Sequence, residues 1–475
     1  MFLGGPGRNR TTDTRIFNPL LYQLSYQAKR HDYSQPFGGL QGWGDFFLET
    51  RPLARGNVAI SSRYNGRMTT PTSPLARSRS DICIVGNGAI AKTAALGFSQ
   101  AGHSVTMITP PSPHGGAGQP QSAGEQAWDV RVYALNHTAN TLLSSLKVWG
   151  ALDQSRVQAV DAMVVNGDGE KGGDLEFDAF GAHVGALAWI VEDRNLCQAL
   201  DAALKFAPNV RMVSGRAERI EARADGATIH LEGGAAVDAS LIVGADGGHS
   251  WVRGQCDIGL DYRSYHQRAI VANFSCEKPH HGVAHQWFTC AEGIVALLPL
   301  PGNRVSLVWS APDALADTLM RESLGELAIR LAELSEEKLG VLRPLQPESV
   351  KDFPLALIRP HAMTAPRVAL VGDAAHVVHP LAGHGMNLGF ADVAELLKAV
   401  AEREPQRGIG DERVLARYAR ARKEDVFLMQ FATDGLARLF STDLEPVRMA
   451  RNFGLNLLDK LPMLKRRLIT HAMGK

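Results

Sequence analysis

No sign of charge predominates in this chain. Its 475 residues carry 50 Lys and Arg against 49 Asp and Glu. A polyphosphate partner demands a basic excess, so nucleic acid is excluded as a partner. No C-x-x-C pair occurs among Cys83, Cys197, Cys256, Cys276 and Cys290, so neither a zinc knuckle nor a dithiol redox pair is encoded. An odd, scattered set of thiols fits a reducing compartment. No apolar run reaches the ~18 residues of a membrane span. The longest, GIVALLPLPG, is broken by proline. His376-x-x-His379 lacks a third ligand at sensible spacing, so no metal is expected. Between Asp81 and Glu125 there is no acidic residue at all.

What is present is ordinary globular composition, 45% hydrophobic and 21% charged, with ample material for a core. The length corresponds to roughly three domains. The 47 glycines imply tight turns and close backbone approaches.

Residues 1–67 stand apart, with no helical or strand period. An organelle-targeting peptide would be poor in acids, whereas Asp13, Asp32, Asp45 and Glu49 interrupt the segment. A disordered regulatory tail is a second reading. The favoured expectation is a start assigned too early, with translation from Met68 and MTTPTSPLARSRS as a short polar leader.

From residue 81 the pattern becomes regular. DICIVGNG is a strand breaking into glycine, AIAKTAALGFSQAG a helix with small residues toward the strand, and HSVTMIT a second strand. This is a βαβ unit of about 30 residues. Residues 110–128 form a Pro/Gly/Ser loop. LAWIVEDRNLCQALDAALKFA reads as a strand feeding a helix, and three strand signals run from 209 to 248. RAIVANFSCE, VAHQWFTCAEG, IVALLPLPG and RVSLVWS read as antiparallel strands.

Three strand-to-loop junctions carry chemistry. In Gly86-Asn87-Gly88-Ala89-Ile90-Ala91, Gly86 allows the turn and Gly88 lets a pyrophosphate approach the backbone. Ala91 permits close packing, and the helix N-terminus supplies donors and positive dipole. The acid expected about 20 residues on, for a ribose hydroxyl, is replaced by Thr109, which offers one hydroxyl. GADGGHSWVR follows a strand; taken alone it is a strand-ending turn before a helix. VGDAAHVVHPLAGHGMNLG places Asp373 at a strand end and Gly383 and Gly385 at a helix start. If the three meet at the carboxyl edge of one sheet, where α/β folds place ligands, they suit a pyrophosphate, a polyol chain and a ring bearing partial negative charge. FAD has all three parts.

With these motifs the chain resembles the class A flavin monooxygenases of the p-hydroxybenzoate hydroxylase fold, specifically the UbiH/UbiF/VisC-type hydroxylases of ubiquinone biosynthesis. The resemblance covers about residues 81–475 and rests on GNGAIA, DVRVYALN, IVEDRNL, GADGGHSWVR, ALLPL with SLVWS, FPL and the Asp373 segment, together with the C-terminal RYARARKEDVFLMQFATDGLARLFS. It implies an α/β fold: a Rossmann-like FAD-binding domain in three pieces (81–165, 209–262, 361–402), interleaved with a mainly β substrate domain. The latter comprises a segment and connecting helix at 166–208 and a sheet at 263–360. C-terminal helices follow at 403–475, and 1–80 is a disordered or mis-assigned extension.

The resemblance further implies residue roles. Gly86, Gly88 and Ala91 hold the pyrophosphate, with Thr109 at the ribose and Arg131 reaching the flavin nucleotide. Asp246 and Gly247 touch the dinucleotide, and Asp373 binds the ribityl chain. Gly383, Gly385, Met386 and Asn387 lie at the flavin pyrimidine edge. Pro380 and Pro299 shape the walls, while Phe288 and Leu298 line an apolar substrate pocket, residues that also suit ordinary core. No residue is assigned as a catalytic base. The family has an acid where Thr109 stands and Gln where His384 stands; a titratable group there implies pH-sensitive flavin chemistry.

The implied reaction uses NAD(P)H as a transient reductant of FAD, and O2 as the source of a hydroxyl delivered to the ring of a polyprenyl phenol or benzoquinol. A substrate so apolar implies a cytoplasmic enzyme peripheral to the inner membrane. The basic and apolar tail at 446–475 is a candidate for contact with anionic lipid or a biosynthetic complex, or is a solvated helical surface. Two alternatives compete: a non-hydroxylating reductase or dehydrogenase of the same fold, and a non-catalytic FAD-fold subunit of a complex.

Overall fold

The computed structural model describes residues 77–110, 127–167, 174–345 and 350–440. Two large sheets and one small one account for the strands. The centre of the first comprises β1 (Arg77–Val85), β2 (Val105–Thr109), β8 (Val210–Ser214), β11 (Ala236–Gly244) and β19 (Val368–Leu370), all paired in parallel. With β18 (Thr364–Ala365) at one edge, the order is β18-β19-β11-β1-β2-β8. Helices α1 (Ala89–Gln100), α2 (His137–Ser145), α3 (Asp193–Lys205) and α7 (His384–Ala401) pack into the core on one face. The other face is covered by the hairpin β9 (Ala217–Ala222) and β10 (Ala227–Leu231) with the short helix α4 (Trp251–Gln255).

Burial on both faces explains the unbroken apolar run Ile82-Cys83-Ile84-Val85. Small residues let the helices close on the sheet and on each other. A Cβ added at Gly97 of α1 would stand 2.6 Å from Leu397 Cδ1 of α7.

The second sheet is largely antiparallel. The expected strands are β12 (Leu260–Cys276), β13 (Val283–Thr289), β14 (Gly293–Leu300) and β15 (Arg304–Pro312), and they pair as antiparallel neighbours. With β5 (Ala162–Asn166), β6 (Asp174–Asp178) and β16 (Leu342–Pro344), the order is β16-β12-β15-β14-β13-β5-β6, and β17 (Lys351–Pro360) also pairs with β12. Alternate residues Ile270, Ala272 and Phe274 of β12 enter a core closed by α5 (Asp313–Leu319) and α6 (Leu324–Leu334). The small third sheet joins β3 (Val132–Leu135), β7 (Ala188–Glu192) and β4 (Val157–Val160). The last described helix, α8 (Glu412–Phe440), packs against α7.

Several boundaries differ from the sequence reading. β1 starts at Arg77, so Arg77–Ser80 are strand rather than polar leader; they pair with Ala236–Ala239, and the distant partner strand decides the matter. β5 belongs to the second sheet, because it pairs in parallel with β13. The region 209–248 holds four strands, not three. Residues 1–76 and the tail at 441–475 lie outside the described residues.

Candidate active site

The carboxyl ends of β1, β11 and β19 open on one cleft of about 680 Å³. All three junctions reach it. Gly86 and Gly88 come from the first, Asp246 and Gly247 from the second, and Asp373, Gly385 and Met386 from the third, with Arg131 alongside.

The first junction is sterically tight on one side and open on the other. Gly86 has φ 137°, and any Cβ there would collide with the Ala245 carbonyl. A Cβ on Gly88 meets nothing within 4 Å. Gly88 is the N-cap of α1 with no side-chain cap, and the first turn holds no acid. The N–H groups of that turn are therefore available to an anion. Ala91 is fully buried in the helix–sheet core, where its small size is used.

The third junction repeats the arrangement. Gly383, at φ 66°, is the N-cap of α7 and again has no side-chain cap. A Cβ on Gly385 would meet nothing within 4 Å. Two uncapped helix N-termini therefore lie at one cleft. Asp373 faces that cleft with its carboxyl making no hydrogen bond among the described residues. The surrounding wall pushes its pKa up by desolvation, against the pull of His376 and Arg131. A carboxyl so placed gains by meeting a hydroxyl.

The carboxylate of the second junction is already engaged. Both oxygens of Asp246 cap α4, accepting from Ser250 Oγ at 2.6 Å and Val252 N at 3.0 Å. Its carboxylate therefore shapes the turn rather than standing free for a ligand. Arg131 forms no ion pair among the described residues and lies near the rings of Tyr133 and Phe353.

Five expected cofactor residues do not line the cleft. Ala91 lies behind it, in the core. Thr109 gives way to its neighbours Ile108 and Pro110. Pro380 accepts from Gly383 N at 3.1 Å within the loop. Gly383 is pressed against Ala134, whose Cβ would stand 3.2 Å from any Cβ added at the glycine. The Asn387 side chain donates to Ala134 O at 2.8 Å and accepts from Asn136 N at 3.0 Å, tying α7 to the turn after β3. The side chain of His384 lies outside the described residues.

The expected substrate-pocket residues are also elsewhere. Phe288 packs on Phe440 with ring centroids 4.2 Å apart. Leu298 packs against the core of Val160, Ile190, Ala284 and Leu300. Pro299 is buried in β14. In the structure Phe288 and Pro299 are buried and Leu298 is half-buried against a core.

Four side chains that the sequence reading left unassigned organise the site. Asp392 of α7 is wholly buried and accepts from Gly372 N at 2.9 Å, His376 Nε2 at 2.7 Å and Arg422 Nε at 2.8 Å. Burial works to raise its pKa, but the His376 and Arg422 contacts prevail and hold it low. This network clamps the loop bearing Asp373 onto α7 and α8. Arg253 donates to Ala374 O at 2.9 Å and Gly248 O at 2.7 Å, locking the second junction to the third. The signals were present: Asp392 sits four residues from both Leu388 and Leu396 on the apolar face, and Arg422 on the stripe Tyr418, Val426, Gln430. A charge on a buried stripe needs a partner.

His379 is also fully buried. Its Nε2 lies 3.0 Å from Gln267 Oε1, and its Nδ1 has no partner. Burial pushes its pKa down to about 4, so the ring is neutral at pH 7. Among the described residues no cluster of His, Cys, Asp or Glu is arranged to hold a metal ion, and no helix is long and apolar enough to cross a membrane.

Sequence comparison agrees with this geometry. The FAD binding domain family matches residues 197–429. The chain is 34% identical to ubiquinone hydroxylase UbiL of Rhodospirillum rubrum over 428 residues, covering 90% of this chain and 96% of that protein. It is 34% identical to 3-demethoxyubiquinol 3-hydroxylase of Escherichia coli, covering 83% and 98% respectively. Among solved structures, Klebsiella pneumoniae HpxO complexed with FAD and uric acid superposes with a TM-score of 0.62 at 16% identity, covering 82% of this chain and 97% of that one. That likeness speaks to the fold alone. The residues present suit FAD: two uncapped helix N-termini for its negative charge, and a free carboxyl for its hydroxyl chain. The chain is an FAD-dependent aromatic monooxygenase and belongs to the UbiH/UbiF/VisC-type hydroxylases, within the class A flavin monooxygenases.

Proposed function

We propose that this enzyme hydroxylates the aromatic ring of a polyprenylated phenol or benzoquinol on the route to ubiquinone, using O2 and NAD(P)H. The observation that carries this reading is the pairing of two uncapped helix N-termini with Asp373 in one cleft, in a chain 34% identical to a ubiquinone hydroxylase. When bound, FAD supplies the redox chemistry, taking hydride from the nicotinamide and activating oxygen. The protein's part is to bind, orient and exclude water.

In this reading the first turn of α1, with Gly86 and Gly88, receives the pyrophosphate. Asp373 accepts from a ribityl hydroxyl. The first turn of α7, at Gly385 and Met386, presents N–H groups to the ring edge that gains negative charge on reduction. Arg131 adds a cation beside the flavin nucleotide. The parallel sheet with its helices forms the FAD-binding domain, and the antiparallel sheet forms the substrate domain.

The helix α8 supports a membrane-surface location. Its exposed positions are mostly charged up to Asp425 and mostly apolar beyond it, with Phe427, Leu428, Phe431, Leu436 and Leu439 beside Arg438. The substrate is insoluble in water, and such a face favours contact with a lipid surface, on the cytoplasmic side of the inner membrane.

The test begins with the absorbance spectrum of the purified chain, before and after anaerobic NADPH. Flavin bands should bleach and return in air, and oxygen uptake with a prenylated phenol should match hydroxylated product. A colourless protein that takes up no added FAD ends this reading; oxygen uptake without hydroxylation makes it a reductase.

A further inference from the structure

The ribose end of the cleft lacks its acid, and the structure shows what stands there instead. β2 and β8 run side by side, with Thr109 paired to Ser214 and the Thr109 carbonyl accepting from Gly215 N at 3.0 Å. The cleft wall at these strand ends is Ile108, Pro110, Gly215, Arg216 and Ala217. Trp251 lines the cleft as well, packed in the core that holds Val213, Ala217 and Ile220. Every carboxylate on the cleft wall belongs elsewhere: Asp246 caps α4, Asp193 accepts from the Tyr133 hydroxyl at 2.9 Å, and Asp373 lies on the third junction. Arg216 is therefore the charge at this end among the described residues. Its contact with Glu232 is long, 3.6 Å, and both side chains are exposed, so the guanidinium is only loosely held.

We propose that Arg216 and Trp251 hold the adenosine end of the dinucleotide in place of the missing acid, the indole as a platform for the purine and the guanidinium as donor to the ribose. This rests on the FAD reading above and adds a specificity. A carboxylate accepts from ribose hydroxyls and repels a phosphate at the 2′ position, whereas an arginine accommodates it. The adenosine end of this chain is tolerant of a 2′-phosphate.

The test uses the full apo-protein and titrates FAD by quenching of its fluorescence. Arg216→Ala and Trp251→Ala each weaken FAD by about tenfold, Trp251→Phe by much less, and Thr109→Ala not at all. Thermal unfolding of the apo variants checks that each is folded; Arg216, being exposed, is replaced without loss of core. In competition against FAD, 2′,5′-ADP displaces at least as well as 5′-ADP, and loses that standing in Arg216→Ala. Wild-type affinity in both Arg216→Ala and Trp251→Ala overturns the proposal, as does weakened binding in Thr109→Ala or a strong preference for 5′-ADP. A wild type that takes up no FAD is a different failure, and removes the FAD reading itself.

Discussion

Two glycine-rich junctions open on the cleft and are built in opposite ways. The one before α1 is held by local sterics: Gly86 fits because a hydrogen is all that the Ala245 carbonyl leaves room for, and the buried Lys92 of the first turn pairs with Asp201 of α3 rather than with the turn. The one before α7 is held from a distance. Asp392, His376 and Arg422 come from a helix interior, a loop and a second helix, and Asn387 reaches back to Ala134 and Asn136. Both arrangements present an uncapped helix N-terminus. One depends on a few neighbouring residues, the other on a network in which each charge relies on the others.

The difference is sharpest under mutation. Asp392→Ala takes from Arg422 its buried carboxylate and leaves it only the exposed Asp425, at 2.9 Å, as an ion partner; breaking the buried pair costs up to about 3–5 kcal/mol. This is the largest effect expected, measured as lost urea stability, with FAD binding lost alongside. A cost below about 1 kcal/mol would show that the network does not clamp the loop.

Gly86→Ala comes next. The collision and the positive φ together cost about 1–3 kcal/mol. Gly88→Ala, at φ −77° and with open space around it, leaves stability within about 0.5 kcal/mol yet weakens FAD. Equal thermal shifts in the two variants would erase the distinction between turn and cradle.

pH separates the sites further. His379 is held near pKa 4 against an ordinary 6.5, so it stays neutral in the fold while the unfolded chain takes up a proton. Its contribution is intact above about 6.5 and is lost as pH falls toward 4. His379→Gln flattens the stability profile in that window. Asp392 has a depressed pKa, so its contribution holds above the unfolded carboxylate value and is lost only as pH falls through the still lower folded value.

The smallest effect belongs to Asp373. Its pKa is raised by desolvation, yet the residue is exposed to the open cleft, so solvent screens most of the cost of its charged form; the little that remains at neutral pH fades as pH falls through the folded value. Asp373→Asn gives a small gain in apo Tm together with weaker FAD binding. A fall in apo Tm would mean that the carboxylate is structural rather than poised for a ligand.

How much of this was legible in the sequence varies by residue. The junctions Gly86–Ala91, Gly244–Arg253 and Val371–Gly389 were readable because strand, glycine turn and helix follow one another within a few residues. The antiparallel strands around Val271, Trp287, Val295 and Leu307 were readable from their apolar patterning. Phe288, Leu298 and Pro299 stayed open: apolar residues on a sheet suit a pocket wall and a core equally, and the packing of Phe288 on Phe440 and of Leu298 beside Ile190 is compatible with both. Thr109 was placed by spacing alone, while the cleft wall beside it is formed by its neighbours Ile108 and Pro110 together with Gly215 and Arg216, a hundred positions later.

The sequence by itself determined the βαβ start, the glycine turns and the carboxylate at the end of a strand, because backbone sterics and helix dipoles act over a few residues. Only the tertiary structure decided which charges are free. Asp246 is consumed by a helix cap, Asp392 by Arg422 and His376, and Asp373 is left facing the cleft. In a sequence these three acids look alike. They differ because burial makes an unpaired charge costly, and the partners that relieve the cost arrive from elsewhere in the chain.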